Sequence, residues 1–222
     1  MNITGTLRRF DGQTLWIQAP FTDGEFLSSR QVESCTVILD DGRTLTARQR
    51  RFIYALLRDV SYYTGHETEF LKDYFKAETL ARTGGCWFSL RDCSMTEANE
   101  LIDTLIQFCV EWRVPTMDNL MDFAPDIDRY IFWCLKYKVC CITRQEGAEL
   151  HHVDHIGIGR DRHEIPHIGL RAMPLLRKYH EEAHRTGQKT FEEKYHIHGI
   201  PLTSELCRIW KLKEGTNAEQ DH

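Results

Sequence analysis

Nine of the 11 histidines in this 222-residue chain fall between positions 151 and 198. Imidazole both coordinates divalent metals and exchanges a proton near neutral pH, so such a concentration is where chemistry should be sought. Spacing matters more than number. His151 and His152 are adjacent in a β-prone stretch, so on a strand they point to opposite faces. His180 and His184 stand four apart in a helical stretch and stack on one face, the spacing by which two helical histidines share a metal. His151, His180 and His184 thus make a three-histidine ligand set that leaves positions for water and a phosphate oxygen. His152, facing the other way, is left as a general base. Hydrolysis of a phosphodiester asks for this combination. A base with an unperturbed pKa near ~6.5 takes the proton of water, and a cation stabilises charge on the phosphate and the departing oxygen.

An isolated histidine is more commonly a surface residue or a hydrogen-bonded core residue. Four in this register, on the elements their roles require, outweigh that reading, whereas His155, His163, His196 and His198 lack such support. Arg160 and Arg162 sit between the base and the helix, where guanidiniums hold phosphates; the alternative is a pair of solvated loop charges beside Asp161. Lys178 and Arg177, next to His180, offer the same service. Arg48, Arg50 and Arg51 open a helix against the preference of its dipole. They are either contacts to a DNA backbone or an exposed charge cluster. Trp87, Phe88 and Trp112 could stack on single-stranded bases, although aromatics at such positions are more often core, Trp112 above all.

The string ELHHVDHIGIGRDR followed by LLRKYHEEAHRTGQKTFEEKYHIHGIPL resembles the HNH, or ββα-metal, endonucleases, in particular those of bacteriophages and prophages. The resemblance implies His152 as base, His151, His180 and His184 as ligands of a divalent ion (Mg, Mn, Zn or Ni), and products with a 5′ phosphate and a 3′ hydroxyl. His167, fifteen residues after His152, stands where the family places a residue that orients the base. Val153-Asp154-His155-Ile156 matches another family register, with Asp154 as ligand and His155 as base; the register of His151 and His152 is preferred. LTARQRRFIYALLRDV and FSLRDCSMTEANELIDTLIQFCVEW are similar to the helical region of those phage proteins and, more loosely, to phage recombination proteins that bind single-stranded DNA. The expected partner is therefore DNA, single-stranded or branched, in phage recombination, replication or processing. A non-catalytic, metal-stabilised DNA-binding accessory protein is the alternative. Many family members hold a structural zinc with two cysteine pairs. Here Cys140 and Cys141 are followed by Thr143, and Leu176 and Tyr179 occupy the helix-side places, so these thiols read as core.

The elements that must position these residues change texture along the chain. Residues 1 to about 45 are β-rich, with runs at Thr14–Ile17 and Cys35–Leu39 separated by Asp-Gly turns. Thr46 with Gln49 and Ser94 with Glu97 are capping boxes, opening helices that carry Phe52 to Val60 and Ala98 to Trp112. Further helices are expected at about 67–81 and 126–137. Strands are expected at Val139–Thr143 and Ala148–Val153, then a loop to about Gly169 and a helix over Met173–Arg185, stopped at Gly187. The fold class is α+β: a small β-rich N-terminal segment, a helical middle module and a C-terminal ββα-metal unit. The division is 1–138 and 139–222.

Composition bounds the setting. Twenty-eight Lys and Arg against 33 Asp and Glu give a net charge of −5, which excludes a strongly basic, non-specific DNA coat. No apolar run approaches the ~20 residues of a membrane span, and the start lacks a secretory segment. The eight scattered cysteines then read as reduced thiols of a cytoplasmic protein, in the bacterial host if phage-encoded.

Overall fold

Local sequence chemistry sets most helix boundaries in the computed structural model, which describes residues 5–21, 42–154 and 166–214 and the single positions 24, 29 and 37. Strands β1 (Thr6–Phe10) and β2 (Leu15–Gln18) form an antiparallel hairpin exposed along its length. Its turn is held by Asp11 Oδ1, which accepts the N–H groups of Gln13 and Thr14. The expected run at 35–39 lies outside the described residues except for Val37. Both capping boxes form. Thr46 opens helix α1 (Ala47–Thr64) with reciprocal bonds to Gln49, and Ser94 opens α3 (Met95–Glu111) with reciprocal bonds to Glu97. Each satisfies two amides that a helix start would otherwise leave orphaned. Between them lies α2 (Thr68–Thr83), and α4 (Ile127–Lys136) starts at Asp126, whose carboxylate accepts from Asp128 and Arg129 N–H. Helix α3 carries the longest apolar face and packs against α1, α2 and α4.

Beyond residue 138 the order of elements differs from the expectation. The stretch 139–143 is not a strand: Val139 makes one isolated bridge to Glu146, and Arg144 adopts a left-handed φ of 58°. Cys141 is instead pinned in the core, its N–H donating to Pro174 O at 2.9 Å and its carbonyl accepting from Tyr130 Oη at 2.8 Å. The strands are β3 (Glu149–His152) and β4 (Arg171–Leu175), antiparallel, with His151 opposite Met173 and His152 opposite Ala172. Residues 173–175, expected as helix, are therefore strand, and helix α5 runs Arg177–Thr186. A short apolar run with a proline near its start suits a helix N-terminus as well as a strand. Strand wins because β5 (Ile200–Pro201) pairs with β4 only at Arg171 and Ala172, leaving Pro174 on an edge where no N–H is required. Helices α6 (Gln188–Tyr195) and α7 (Ser204–Ile209) complete the chain; neither was expected.

The result is a mixed α+β fold with seven α-helices and two small sheets among the described residues. One hydrophobic cluster runs across residue 138, from Phe52 and Leu105 through Tyr130 and Leu135 to Met173, Phe191 and Cys207. Helix α4 packs on α3 on one side and on β4 and α7 on the other, and Trp210 Nε1 donates to Leu135 O at 2.9 Å. Gly199 passes so close to β3 that a Cβ there would lie 2.4 Å from Val153 Cγ2, a contact only glycine permits. Of the three aromatics singled out, Phe88 is buried, but Trp87 and Trp112 are 59% and 55% exposed. Trp112 corrects the core expectation because it sits past the last turn of α3, as its C-cap. No described helix is long and apolar enough to cross a membrane.

Candidate functional site

Strand β3 is four residues, Glu149-Leu150-His151-His152, and alternation alone decides what each presents. Glu149 and His151 share one face; His152 takes the other. His151 is buried at 2% exposure and meets the two histidines of α5, its ring centroid 4.8 Å from His180 and 5.1 Å from His184. One nitrogen from each of the three lies within 4.8 Å of the others, a group able to hold a metal ion. The helical spacing of four brings the two α5 rings to 4.9 Å.

Two of the three rings are held from behind. His180 Nδ1 lies 2.8 Å from Glu149 Oε2, and Arg177 approaches the other carboxylate oxygen at 3.7 Å. His151 Nε2 lies 2.8 Å from Gln188 Oε1, and Gln188 is fixed in turn by donating Nε2–H to Glu192 Oε1 at 2.8 Å. That leaves His151 Nδ1 buried with no hydrogen-bond partner. A buried, unsatisfied ring nitrogen is costly, and a metal ion is one means of satisfying it. Burial pushes the His151 pKa down, opposed by the bond to Gln188 and helped by the neighbouring His180 and His184. The ring is thereby kept in the neutral form that ligates metals.

On the opposite face, His152 Nε2 lies 3.0 Å from His167 Nδ1. His167 is itself buried at 3% exposure, and its N–H donates to Lys213 O at 3.0 Å. The two histidines fifteen residues apart in sequence are thus in direct contact. Asp154 does not join either histidine group. Its carboxylate takes three bonds from Arg171, the backbone N–H at 2.7 Å and the guanidinium at 3.0 and 2.7 Å, which hold its pKa below the usual carboxylate range. His155, Arg160, Arg162 and His163 lie outside the described residues. Lys178 is exposed on α5 with Nζ 4.6 Å from the Tyr179 ring centroid, and Arg177 is paired with Glu181. Glu182, between the helical histidines, turns away to Lys194 and Tyr195 and ties α5 to α6. His198 contacts Asp128 of α4, and His196 caps α6 in the left-handed region. Cys140 and Cys141 are buried, with burial pushing the Cys141 thiol well above its ordinary value, and neither belongs to the metal-competent group.

Glu149, Gln188 and Glu192 are the residues that sequence reasoning missed. Period-two alternation from His151 pointed to Glu149. Gln188 and Glu192 carried no signal, because the helix that bears them was not expected. Compared with known proteins, no curated protein and no solved structure matches the chain. A family model described as "Putative HNHc nuclease" does match, over residues 23–213, which takes in both the helical module and the histidine site. This chain belongs to that family of HNH nucleases.

Proposed function

We propose that the chain is a divalent-metal-dependent endonuclease that hydrolyses DNA phosphodiester bonds, with processing of phage DNA the setting its sequence resemblance suggests. The observation that carries this reading is the division of labour on β3: His151 turned to His180 and His184, and its neighbour His152 turned to His167. His151, His180 and His184 would hold the ion, which when bound stabilises negative charge on the phosphate and on the departing 3′ oxygen. The orphaned Nδ1 of His151 and the carboxylate behind His180 support that assignment.

His152 takes the proton of the attacking water. In the tautomer where its Nε2–H donates to His167 Nδ1, the lone pair of His152 sits on Nδ1, the basic nitrogen for this step. His167 fixes that tautomer and the ring plane. As water is deprotonated the positive charge on His152 is shared along this hydrogen bond, lowering the barrier. Lys178, with Arg160 and Arg162, binds phosphates flanking the scissile bond.

Supercoiled plasmid incubated with Mg²⁺, Mn²⁺, Zn²⁺ or Ni²⁺ tests the reading. The wild type should nick it, and His152→Ala should slow nicking by about 10²-fold or more while still binding metal. His180→Ala should lose metal and activity together. Nicking unimpaired in His152→Ala, or DNA binding without cleavage in every metal, would overturn it.

A further inference from the structure

The helical module holds a second polar site, away from the histidines, that the proposed chemistry does not use. A pocket of about 310 Å³ opens between the start of α1, the middle of α2 and the segment before α3. Arg50, Lys72, Lys76 and Arg91 line it, with the hydroxyl-bearing Tyr54 and Ser89, and among the described residues no carboxylate lines it. Lys76 is 5% exposed, yet it has no ion pair or hydrogen bond among the described residues; its Nζ rests 5.3 Å from the Trp87 ring centroid and 5.6 Å from that of Phe88. Arg50 donates one terminal N–H to Arg91 O at 2.7 Å, but its Nε–H is buried with no partner. Among the described residues, Lys72 alone of the four has an acid, Glu69, from its own helix.

A nearly buried ammonium beside an unsatisfied guanidinium N–H is an unfavourable arrangement without an anion. Aromatic faces offset part of that for Lys76, but they do nothing for Arg50 Nε. Four cations and two hydroxyls around a space of this size suit a tetrahedral oxyanion, for which a guanidinium fork and ammonium groups supply charge-assisted hydrogen bonds. We propose that this pocket is a phosphate-binding site that anchors a backbone phosphate of the nucleic acid strand. The assignment of a strand rests on the nuclease reading; the phosphate chemistry does not. Of the basic first turn of α1, Arg50 lines this pocket, whereas Arg48 lies over the Phe123 ring, 4.8 Å from its centroid.

The test measures binding of fluorescent single-stranded and duplex oligonucleotides by anisotropy over a salt series, in EDTA so that no strand is cut. It compares the wild type with Arg91→Glu and Lys76→Gln. Arg91 is exposed, so Arg91→Glu should fold even if Lys76→Gln does not. Thermal unfolding checks both. Arg91→Glu should weaken oligonucleotide binding about tenfold or more and make the dependence of log affinity on log salt shallower by about one. Unchanged affinity and slope in folded Arg91→Glu, with no binding of inorganic phosphate to the wild type, would overturn the site. Titration with inorganic phosphate separates the sources. Phosphate that binds the wild type while oligonucleotides bind variant and wild type alike would overturn the strand assignment in favour of a free phosphate. Loss of binding in Arg91→Glu stands whether or not plasmid is ever nicked. Nicking with full binding in Arg91→Glu removes this pocket and leaves the histidine site in place.

Discussion

Gln188 shows how much of the site depends on a single neutral side chain. It presents Oε1 to His151 Nε2 and is itself held by Glu192, so the chain Glu192–Gln188–His151 fixes the ring that carries the orphaned Nδ1. Gln188→Ala would leave both nitrogens of a buried imidazole unpartnered and the ring free to rotate. Metal affinity should fall roughly 10–100-fold, the range typical of removing a partner behind a ligating histidine, with little change in circular dichroism. Competition against a metal-sensitive dye measures this, and an unchanged affinity would mean that Gln188 positions nothing. At this scale the histidines were legible because alternation on a strand and stacking at i, i+4 are local rules. The contact of His152 with His167 was legible only through family resemblance. Gln188 was not legible at all, since its role arises where α6 meets β3.

Among the elements, α3 and α4 are joined through a carboxylate that burial works against. Asp103 on α3 is 7% exposed and contacts Arg129 of α4, with Glu100 close by. Burial pushes its pKa up to about 6 despite the attraction of Arg129, and Glu100 adds to the rise. The folded chain therefore holds this proton more tightly than the unfolded chain, whose carboxyl titrates near the ordinary value of 3.8. Its contribution to stability is full below about pH 4 and is lost as pH rises through about 6. Asp103→Asn has no such titration. The stability of the wild type minus that of Asp103→Asn should fall by on the order of 2 kcal/mol between pH 4 and 7 in denaturant titrations. A flat difference would mean that Arg129 fully offsets burial. The helices themselves were legible from their caps: Thr46–Gln49 and Ser94–Glu97 are four-residue signals that need no tertiary context. Strand β4 was not. Ala172 to Leu175 are buried on every side, and such a run has no periodicity to tell strand from helix. What decides it is pairing with β3, together with Cys141 N–H reaching Pro174 O.

For the whole molecule, the net charge of −5 conceals local differences. Nine basic and nine acidic residues balance between 140 and 200, while the pocket on the helical module gathers four cations and, among the described residues, no acid. The proposed strand capture at the basic pocket and cleavage at the histidine site would require the two regions to hold a fixed relation. Helix α4 supplies it. Ile131, Cys134 and Leu135 are fully buried, between α3 on one side and β4 and α7 on the other. A shared core of this kind unfolds as one cooperative unit in chains of modest size. Leu135→Ala should cost about 2–5 kcal/mol, since Leu135 is 0% exposed on the helix that packs against both regions. Native-state hydrogen exchange then discriminates. In one cooperative unit, amides of α3 and of β4 lose protection by the same amount in Leu135→Ala. A loss confined to β4, with α3 unchanged to within about 0.5 kcal/mol, would show that capture and cleavage sit on units that unfold separately.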